Sequence, residues 1–453
     1  MSNTPHDRPD HPDVSRRGFL LTSAAAASIA GVAGMLAAAP TAKAVDAKPY
    51  TGPLKASRQR LKLADGEPIR IGVIGTGGMG TGHCEAFCSL AKQGKENVQI
   101  VALADVCKPR LEHAANKCRE HQPSIDVQTY YGDHAPLLAR GDLHGVLIAS
   151  PEHWHEKHAI DALLTGHDVY LEKPMTLHLD EALRLRQVVM ANPDLRLQVG
   201  TQMTNLPKYH EARKVIKAGT IGKPVFSQTS YCRNSKDGEW NYYHIDPNWK
   251  NGENVDWRAW CGPMGEQPWD PVVYARWRRY RKWSTGIIGD LLVHVMTPML
   301  VALEPGWPVR VCASGGHYID KDMENHDQVN LNIEFDSGHT MIIAGSTCNE
   351  VGLETLIRGH KGNIYLGGRN CVVRPERIYA DDVDEQTIEC ADVGNDQDLH
   401  RLKWMKCIRT REQPDSDIEQ GTKVMVMCDL ASRSMWEGGA YAFDPITMRA
   451  RRL

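Results

Sequence analysis

Two short stretches of this chain carry residues whose types and spacing suggest chemistry. The first is a glycine-rich turn between a strand-like and a helix-like segment, Gly75-Thr76-Gly77-Gly78-Met79-Gly80. The second is Glu172-Lys173-Pro174, which closes the strand-like run 168–171. Such a turn brings backbone N–H groups to a phosphate, and an amine at the end of a buried strand can stabilise charge developing on a hydroxyl oxygen. Together the two stretches predict hydride exchange between a nicotinamide cofactor and a hydroxyl group.

The glycine-rich turn fits a dinucleotide site because its glycines have separate physical tasks. Gly75 permits the tight turn, and Gly77 lets the backbone approach the pyrophosphate. Gly80 lets the following helix pack closely on the preceding strand. We therefore assign the whole turn, residues 75–80, to cofactor binding.

Asp105 ends the next strand-like segment and bears on the choice of cofactor. Its carboxylate would accept hydrogen bonds from the adenosine ribose hydroxyls and repel a 2′-phosphate, which favours NAD over NADP. Lys108 and Arg110 follow closely, so NADP stays open as an alternative.

Further cofactor contacts are predicted at the same sheet edge, namely for Ser150, Pro151, His155, Glu172 and Lys173. The first three lie in the loop after the strand-like run 145–149. Together with His153 and His158, His155 invites comparison with a zinc site. The spacing lacks the usual donor pattern and no fourth ligand stands out, so we predict no metal.

Alternating strand-like and helix-like segments must position these residues. Between residues 68 and 200 the repeated strand–helix units predict a doubly wound parallel sheet of the Rossmann type. After about residue 220 strand patterns dominate, and two helical patterns follow. The fold class is therefore α/β, with a Rossmann domain at 68–200 and a C-terminal α/β domain at 201–453. We expect the C-terminal sheet to be large, open and mostly antiparallel.

The first 67 residues differ in composition from the rest. Ser15-Arg16-Arg17-Gly18-Phe19-Leu20 is a twin-arginine signature, an alanine-rich stretch follows, and Ala42-Lys43-Ala44 offers a cleavage site. We predict a twin-arginine signal peptide at 1–44, cleaved near Ala44, and a mobile polar arm at 45–67. The mature protein would be periplasmic or otherwise exported. No later run approaches the roughly twenty apolar residues that span a bilayer, so no membrane contact is expected after cleavage.

Export in the folded state has a consequence for the cofactor. A free nicotinamide pool is not expected outside the cytoplasm, so we predict that the cofactor is tightly bound. The formal net charge of −3 gives no reason to expect nucleic acid as a partner. The twelve cysteines are scattered without a CxxC pair, which favours buried free thiols over disulfides.

These motifs, together with Asp290-x-x-x-His294, resemble those of the Gfo/Idh/MocA oxidoreductase family, which includes glucose–fructose oxidoreductase and inositol dehydrogenase. The likeness covers roughly residues 68–440, and the signal sequence is similar to that of its exported twin-arginine members. It implies catalysis on a sugar or polyol at the junction of two domains, and a homodimer or homotetramer. The family's second motif usually reads Asp-x-Gly-x-His-x-x-Asp. Here Leu292 and Thr297 replace the glycine and the last aspartate.

Oxidation of a secondary alcohol needs a proton acceptor while hydride leaves for the nicotinamide. His294 titrates in the useful range, and Asp290, four residues earlier on one helix face, would orient it. Lys173 would stabilise the developing alkoxide or serve as the base itself. We therefore predict Lys173, Asp290 and His294 as catalytic residues and leave open which one takes the proton.

Seven of the eleven tryptophans fall within residues 240–283. Such residues either stack on sugar rings or anchor a long insertion to its domain. As substrate-binding residues we predict Tyr231, Arg276 and Trp283.

Three functions are compatible with these residues. The first is an exported NAD(P)-dependent oxidoreductase acting on a hydroxyl or ketone of a sugar, polyol or glycoside. The second is an NAD-dependent glycoside hydrolase that works by transient oxidation and elimination. The third is a non-catalytic sugar-binding protein, against which the joint presence of Lys173, Asp290 and His294 argues.

Overall fold

The computed structural model describes the backbone of residues 44–45 and the whole of residues 50–453. The predicted signal peptide therefore lies outside the described residues except for Ala44. Ala44–Val45 forms a two-residue strand, β1. The predicted arm is described from Tyr50 onward, where it has no regular secondary structure. It is attached rather than free, because Ser57 N donates to Leu164 O at 2.7 Å and Lys55 Nζ donates to Ala191 O at 2.7 Å.

A six-stranded parallel sheet forms the first domain. Its strands are β2 (Ile69–Ile74), β3 (Val98–Asp105), β4 (Gln128–Tyr131), β5 (Gly145–Ile148), β6 (Asp168–Leu171) and β7 (Leu197–Val199). They lie in the order β4-β3-β2-β5-β6-β7, and every neighbouring pair is parallel. Apart from the exposed edge strand β4, the strands consist mainly of buried residues, many of them aliphatic, because helices cover both faces of the sheet.

Five helices connect these strands: α1 (Gly78–Lys92), α2 (Lys108–His121), α3 (Ala135–Leu138), α4 (His155–Leu164) and α5 (Leu179–Ala191). The strand order reverses between β2 and β5, from which the sheet extends in both directions. In such a doubly wound sheet the crevice at the carboxyl ends of the strands, at this reversal, is where dinucleotides bind. The predicted Rossmann domain is confirmed.

The second domain contains an eleven-stranded mixed sheet completed by β1. Its other strands are β8 (Pro224–Cys232), β9 (Pro308–Gly316), β10 (Gln328–Phe335), β11 (Thr340–Ser346), β12 (Leu356–Gly359), β13 (Gly362–Tyr365), β14 (Cys371–Pro375), β15 (Gln386–Ile388), β16 (Ala440–Asp444) and β17 (Arg449–Arg452). The order is β1-β17-β16-β9-β10-β11-β8-β12-β13-β14-β15, and among the described strands only β8 and β11 pair in parallel. The expectation of an open, mostly antiparallel sheet is confirmed.

Helices cover one face of this sheet, and the other face is open. The helices of this half are α6 (Pro207–Lys217), α7 (Trp257–Cys261), α8 (Pro271–Ala275), α9 (Val293–Leu303), α10 (Asp396–Thr410) and α11 (Ile418–Glu437). In β10, Leu331 and Ile333 are buried while Asn330 and Asn332 are exposed, the alternation expected of a half-covered sheet.

Helix α10 returns to the first domain. The indole of Trp404 is fully buried, and a Cβ at Gly145 of β5 would stand 2.9 Å from it. Phe87 and Tyr170 pack on the same indole at ring-centroid distances of 6.1 and 5.6 Å. Helix α10 thus packs on the parallel sheet of the first domain through the Trp404 indole.

A six-residue π-helix, Ile287–Leu292, leads directly into α9. A π-turn contains one residue more per hydrogen-bonded turn than an α-helix, and such turns occur frequently at functional sites. Asp290 lies within it.

The cysteines and the helices of the described residues bear on disulfides and on membrane spans. All twelve cysteines are free thiols, nine of them buried, as predicted. Within the same part of the chain, no helix combines the length and apolar character needed to cross a bilayer.

Candidate active site

A cavity of about 390 Å³ opens at the carboxyl edge of the parallel sheet. The predicted residues that line it are Gly75, Gly77, Gly78, Met79, Asp105, Ser150, Pro151, His155, Glu172 and Lys173. The structure therefore brings the glycine turn and the lysine to one cavity. Of the predicted cofactor residues, Thr76 and Gly80 do not line it.

Two glycines of the turn, Gly75 and Gly80, have no room for a side chain. Gly75 has φ +88°, and a Cβ there would stand 2.6 Å from Ser150 N. A Cβ at Gly80 would stand 1.9 Å from Gly75 O, so Gly80 serves the close packing of α1 on β2. This cradle, together with the amino end of α1, fits the pyrophosphate of a dinucleotide.

Asp105 is fixed at the end of β3 by backbone donors. Thr76 donates to its Oδ2 through its backbone N at 2.5 Å and its Oγ1 at 3.0 Å. Cys107 N donates to Oδ1 at 2.8 Å. Thr76 therefore fixes the position of the Asp105 carboxylate, and Asp105 lines the cavity while Thr76 does not. Arg110, also on the wall, lies over the Tyr274 ring at 4.7 Å from its centroid.

Lys173 is held at the cavity wall by Asp290. Its Nζ donates to Asp290 Oδ1 and to Asp290 O, both at 2.9 Å, and its side chain is 9% exposed. Arg278 Nε donates to the same Oδ1 at 2.9 Å. Burial alone would raise the pKa of Asp290, but the charges of Lys173 and Arg278 outweigh it and hold that pKa below its ordinary value. The carboxylate is therefore ionised and fixes the amine.

His294 lies beside this group but is not oriented by Asp290, which corrects the predicted pairing. The Asp290 carboxylate is occupied by Lys173 and Arg278, and His294 Nδ1 has no hydrogen-bond partner. The α-helical spacing assumed for the pair does not apply because Asp290 is in a π-turn. Burial, reinforced by the charge of Lys173, lowers the pKa of His294 to about 3, so its imidazole is neutral. Its ring lies 6.0 Å from that of Tyr231.

Glu172 points away from the lysine amine. His83 Nε2 lies 2.8 Å from its Oε1, and Lys173 N donates to its Oε2 at 3.1 Å. Arg401 Nε donates to His83 Nδ1 at 2.9 Å. This buried chain connects α10 to the end of β6 and fixes the backbone that carries Lys173.

The loop from Ser150 to His155 is fastened to that same backbone. His155 Nδ1 lies 2.6 Å from Pro174 O, and its Nε2 lies 2.8 Å from Ser150 O. His158 stacks on Trp154 at 4.5 Å and places Nδ1 3.0 Å from Ser150 Oγ. Among the described residues, no group of three or more His, Cys, Asp or Glu side chains could hold a metal ion.

Glu152, in the same loop, is a site residue that the sequence did not reveal. Ser284 Oγ donates to its Oε1 at 2.6 Å, and Thr285 N donates to its Oε2 at 3.3 Å. It is fully buried, and burial raises its pKa to about 7. The side chain joins the cofactor loop to the segment that precedes the π-helix.

Residues 249–283, which we term the aromatic strap, cross from the second domain to the first. Lys108 N donates to Asn254 O at 2.9 Å, and Asp256 N donates to Val106 O at 2.8 Å. Trp154 Nε1 donates to Trp260 O at 2.8 Å. Several of its residues line the cavity opposite the glycine turn, namely Ala259, Trp260, Tyr274, Ala275, Trp277 and Arg278. The strap therefore forms the second wall of the cavity.

None of the three predicted substrate residues lines the cavity, which corrects that assignment. Trp283 is 3% exposed and packs on Trp260 at 4.7 Å, in the aromatic core of the strap, so it anchors the strap. Arg276 donates to Asn241 Oδ1 at 2.6 Å, and Arg278 lines the cavity in its place. The ring of Tyr231 lies 6.0 Å from that of His294.

Comparisons with known proteins agree with this arrangement. The Gfo/Idh/MocA model described as an oxidoreductase family with an NAD-binding Rossmann fold matches residues 69–201. The model for the C-terminal alpha/beta domain of the same oxidoreductase family matches residues 265–443. Together these matches cover more than half of the chain.

Curated relatives include two kinds of enzyme. An inositol 2-dehydrogenase of Pseudomonas savastanoi pv. phaseolicola is 32% identical over 174 residues, 38% of this chain and 48% of the relative. A glycosyl hydrolase family 109 protein of a Shewanella species is 27% identical over 255 residues, 52% of this chain and 52% of the relative. The chain thus spans about half the length of the curated relatives that it matches.

Solved structures share the fold over a longer stretch. A levoglucosan dehydrogenase in complex with NADH and levoglucosan has a TM-score of 0.63 at 19% identity, covering 82% of this chain and 98% of that one. The WlbA dehydrogenase of Bordetella pertussis, in complex with NADH and UDP-GlcNAcA, has a TM-score of 0.61 at 19% identity, covering 83% of this chain and 99% of that one. With both domain models matched in order, this chain belongs to the Gfo/Idh/MocA oxidoreductase family, and its first domain is an NAD-binding Rossmann domain.

Proposed function

We propose that this protein exchanges hydride between NAD and a hydroxyl or ketone of a sugar, polyol or glycoside. The observation that carries the proposal is that the Lys173 amine and the glycine turn line one cavity, with the amine fixed by Asp290. The inositol dehydrogenase and levoglucosan dehydrogenase among the similar proteins support carbohydrate as the substrate class.

In this proposal the chain binds and orients the cofactor and the substrate, and NAD supplies the hydride acceptor or donor. Residues 75–80 hold the pyrophosphate, and Asp105 accepts from the adenosine ribose. Lys173 donates a hydrogen bond to the reacting oxygen and stabilises its charge. His294, neutral and beside the lysine, and Lys173 itself are the two candidates for the proton acceptor.

We also propose that the protein is exported by residues 1–44 with NAD already bound. The aromatic strap supports retention, since Trp260 and Tyr274 lie opposite the glycine turn across the cavity. A resident cofactor would be reduced by one substrate and reoxidised by another. By analogy with the family, copies of this chain would associate through the open face of the second sheet to form a homodimer or a homotetramer.

A glycoside hydrolase that oxidises transiently is the second candidate. The alignment with the glycosyl hydrolase family 109 protein covers more of this chain than that with the inositol dehydrogenase, 52% against 38%. Both reactions would begin with the same hydride transfer at Lys173, so the site geometry is common to them.

One experiment separates the candidates. The purified protein is denatured and the released nucleotide assayed, and the native protein is then offered sugars, polyols and aryl glycosides. Net absorbance at the reduced nicotinamide band supports the oxidoreductase, and aglycone release without net reduction supports the hydrolase. Absence of both bound nucleotide and turnover would leave a sugar-binding protein and refute the proposal.

A further inference from the structure

Arg278 is a cavity residue whose binding capacity the proposed reaction does not use. Its Nε donates to Asp290 Oδ1 at 2.9 Å, the oxygen that also accepts from Lys173 Nζ. Its side chain is 23% exposed and lines the cavity. The guanidinium is therefore a neighbour of the lysine amine at the end of the cavity where hydride transfer is proposed.

The terminal nitrogens of Arg278 are available to a ligand. Over residues 50–453, this side chain makes one hydrogen bond, through Nε. Nη1 and Nη2 make none within those residues, and they are not buried. The guanidinium rests on Trp277, with 4.2 Å between Cζ and the ring centroid. Stacking and the Nε bond together fix the plane of the group, so its two free donors keep a defined direction.

The two cations at this end of the cavity use one carboxylate as their hydrogen-bond acceptor. Lys173 Nζ and Arg278 Nε both donate to Asp290 Oδ1. Glu172 also lines the cavity, but its oxygens accept from Lys173 N and lie against His83, and it makes no hydrogen bond to Arg278. A ligand carboxylate next to Arg278 would give its terminal nitrogens the acceptor that these side chains do not supply.

Glu152 is not a hydrogen-bond partner of this guanidinium. It is fully buried and accepts from Ser284 and Thr285, so its charge acts on Arg278 only through space. The terminal nitrogens of Arg278 therefore have no carboxylate acceptor among Asp290, Glu172 and Glu152.

We propose that the substrate is a sugar acid whose carboxylate is received by Nη1 and Nη2 of Arg278. A planar guanidinium with two parallel donors matches a carboxylate in bidentate geometry. The carboxylate orients the substrate and takes no part in bond changes, and a hydroxyl of the same molecule faces Lys173. This inference rests on the proposed oxidoreductase function and specifies its substrate class.

The first test compares acids with their neutral parents on the wild-type holoenzyme. The pairs are D-glucuronate with D-glucose, D-galacturonate with D-galactose, and D-gluconate with D-glucitol. In at least one pair we expect kcat/KM to be at least about tenfold higher for the acid, the scale of one charge-assisted bidentate contact. Equal or higher kcat/KM for the neutral member of every pair overturns the proposal.

The second test uses Arg278→Lys, which keeps the positive charge but loses the fork. We expect the KM of the preferred acid, relative to that of its neutral parent, to rise about tenfold, because loss of the Nε bond to Asp290 affects both substrates and loss of the fork affects the acid alone. An equal loss for both would assign Arg278 solely to holding Asp290 and would overturn the proposal.

Calorimetric titration of the holoenzyme with the three acids separates this inference from the function on which it rests. Binding of an acid without reduction of NAD by any compound would refute the oxidoreductase and leave the sugar-acid site standing. Oxidation of neutral sugars with no binding of the acids would leave the oxidoreductase standing and refute the site. If none of the acids binds or reacts, the inference is refuted.

Discussion

Lys173 is the residue on which the proposed chemistry depends most directly. Lys173→Ala removes the amine that faces the cavity and leaves the glycine turn, with which it shares no hydrogen bond, unchanged. We expect turnover to fall at least about a hundredfold, the scale of losing one positioned proton-transfer or charge-stabilising group. Initial rates and nucleotide released on denaturation measure the two effects. Lys157→Ala, on the exposed face of α4, is the matched control and should retain full activity.

Near-normal turnover of Lys173→Ala would remove the lysine from the mechanism. Loss of nucleotide together with turnover would show instead that the lysine acts through cofactor binding.

Asp105 carries the preference for NAD. Its carboxylate is fixed on the cavity wall by Thr76 and Cys107, where it would accept from the adenosine ribose and repel a 2′-phosphate. Asp105→Ala should weaken NAD binding about tenfold more than NADP binding. Dissociation constants for both nucleotides on the stripped protein measure this, and a greater loss for NADP would reverse the assignment.

The raised pKa of Glu152 predicts that the free energy of unfolding depends on pH. Burial raises the pKa of this carboxyl from its usual 4.5 to about 7, and the hydrogen bonds from Ser284 and Thr285 offset only part of that increase. The folded state therefore holds a proton that the unfolded state has lost, and the free energy of unfolding falls as pH rises through the interval between these two pKa values. Relative to wild type, Glu152→Gln should lose this dependence, an effect on the order of 2 kcal/mol.

Thermal unfolding of both proteins at several values from about pH 5 to pH 8 measures the difference. Glu334→Gln, at an exposed ion pair with Arg310, is the control and should follow wild type. A constant difference between wild type and Glu152→Gln over the whole range would contradict the raised pKa.

At the scale of the element, the aromatic strap connects the cofactor cavity to local stability. Asp256 caps α7, since its Oδ1 accepts from Ala259 N at 2.8 Å. Loss of such a cap costs about 1 kcal/mol, which favours local opening of the strap. We therefore expect Asp256→Ala to release bound NADH about fivefold faster, with little change in kcat on substrate-saturated enzyme.

The release rate is measured as the loss of NADH fluorescence after an excess of NAD is added. Asp417→Ala removes the corresponding cap of α11, outside the strap, and should leave the release rate unchanged. Equal acceleration in both variants would attribute the effect to general destabilisation.

The same element shows where sequence patterns stop being informative. Several strands of the Rossmann sheet follow from buried aliphatic runs, and the glycine turn from its spacing, so the predicted run 168–171 is β6 and the strand predicted to end at Asp105 is β3. The strap has no such pattern: its tryptophans indicate burial but not the surface against which they are buried. Trp283 was therefore assigned to the substrate and Trp260 was overlooked.

The catalytic group shows a second limit. The presence of Lys173 and Asp290 was evident from sequence, but their pairing, and the part of Arg278 in it, depend on three segments that meet only in the folded chain. The π-turn is likewise invisible to side-chain periodicity, because it is a change of backbone hydrogen-bond register by one residue.

At the scale of the whole molecule, the proposed export depends on residues outside the described part. Arg16 and Arg17 form the twin-arginine pair. Changing both to Lys should keep the protein inside the cell, with unchanged activity in lysates, because neither residue belongs to the two domains. Subcellular fractionation measures this. Unchanged export of the double variant would contradict the signal, and Arg8→Lys, ahead of the motif, should export normally.

The strap also affects the residence time of a bound nucleotide, which is a different quantity from its affinity. Trp260 and Tyr274 of the strap line the cavity together with the glycine turn, so an opening of the strap would serve both arrival and departure of the nucleotide. A barrier that slows binding and release equally lengthens the residence time of the nucleotide and leaves its affinity unchanged. Equilibrium titrations would then report an ordinary dissociation constant for a complex that outlives many turnovers.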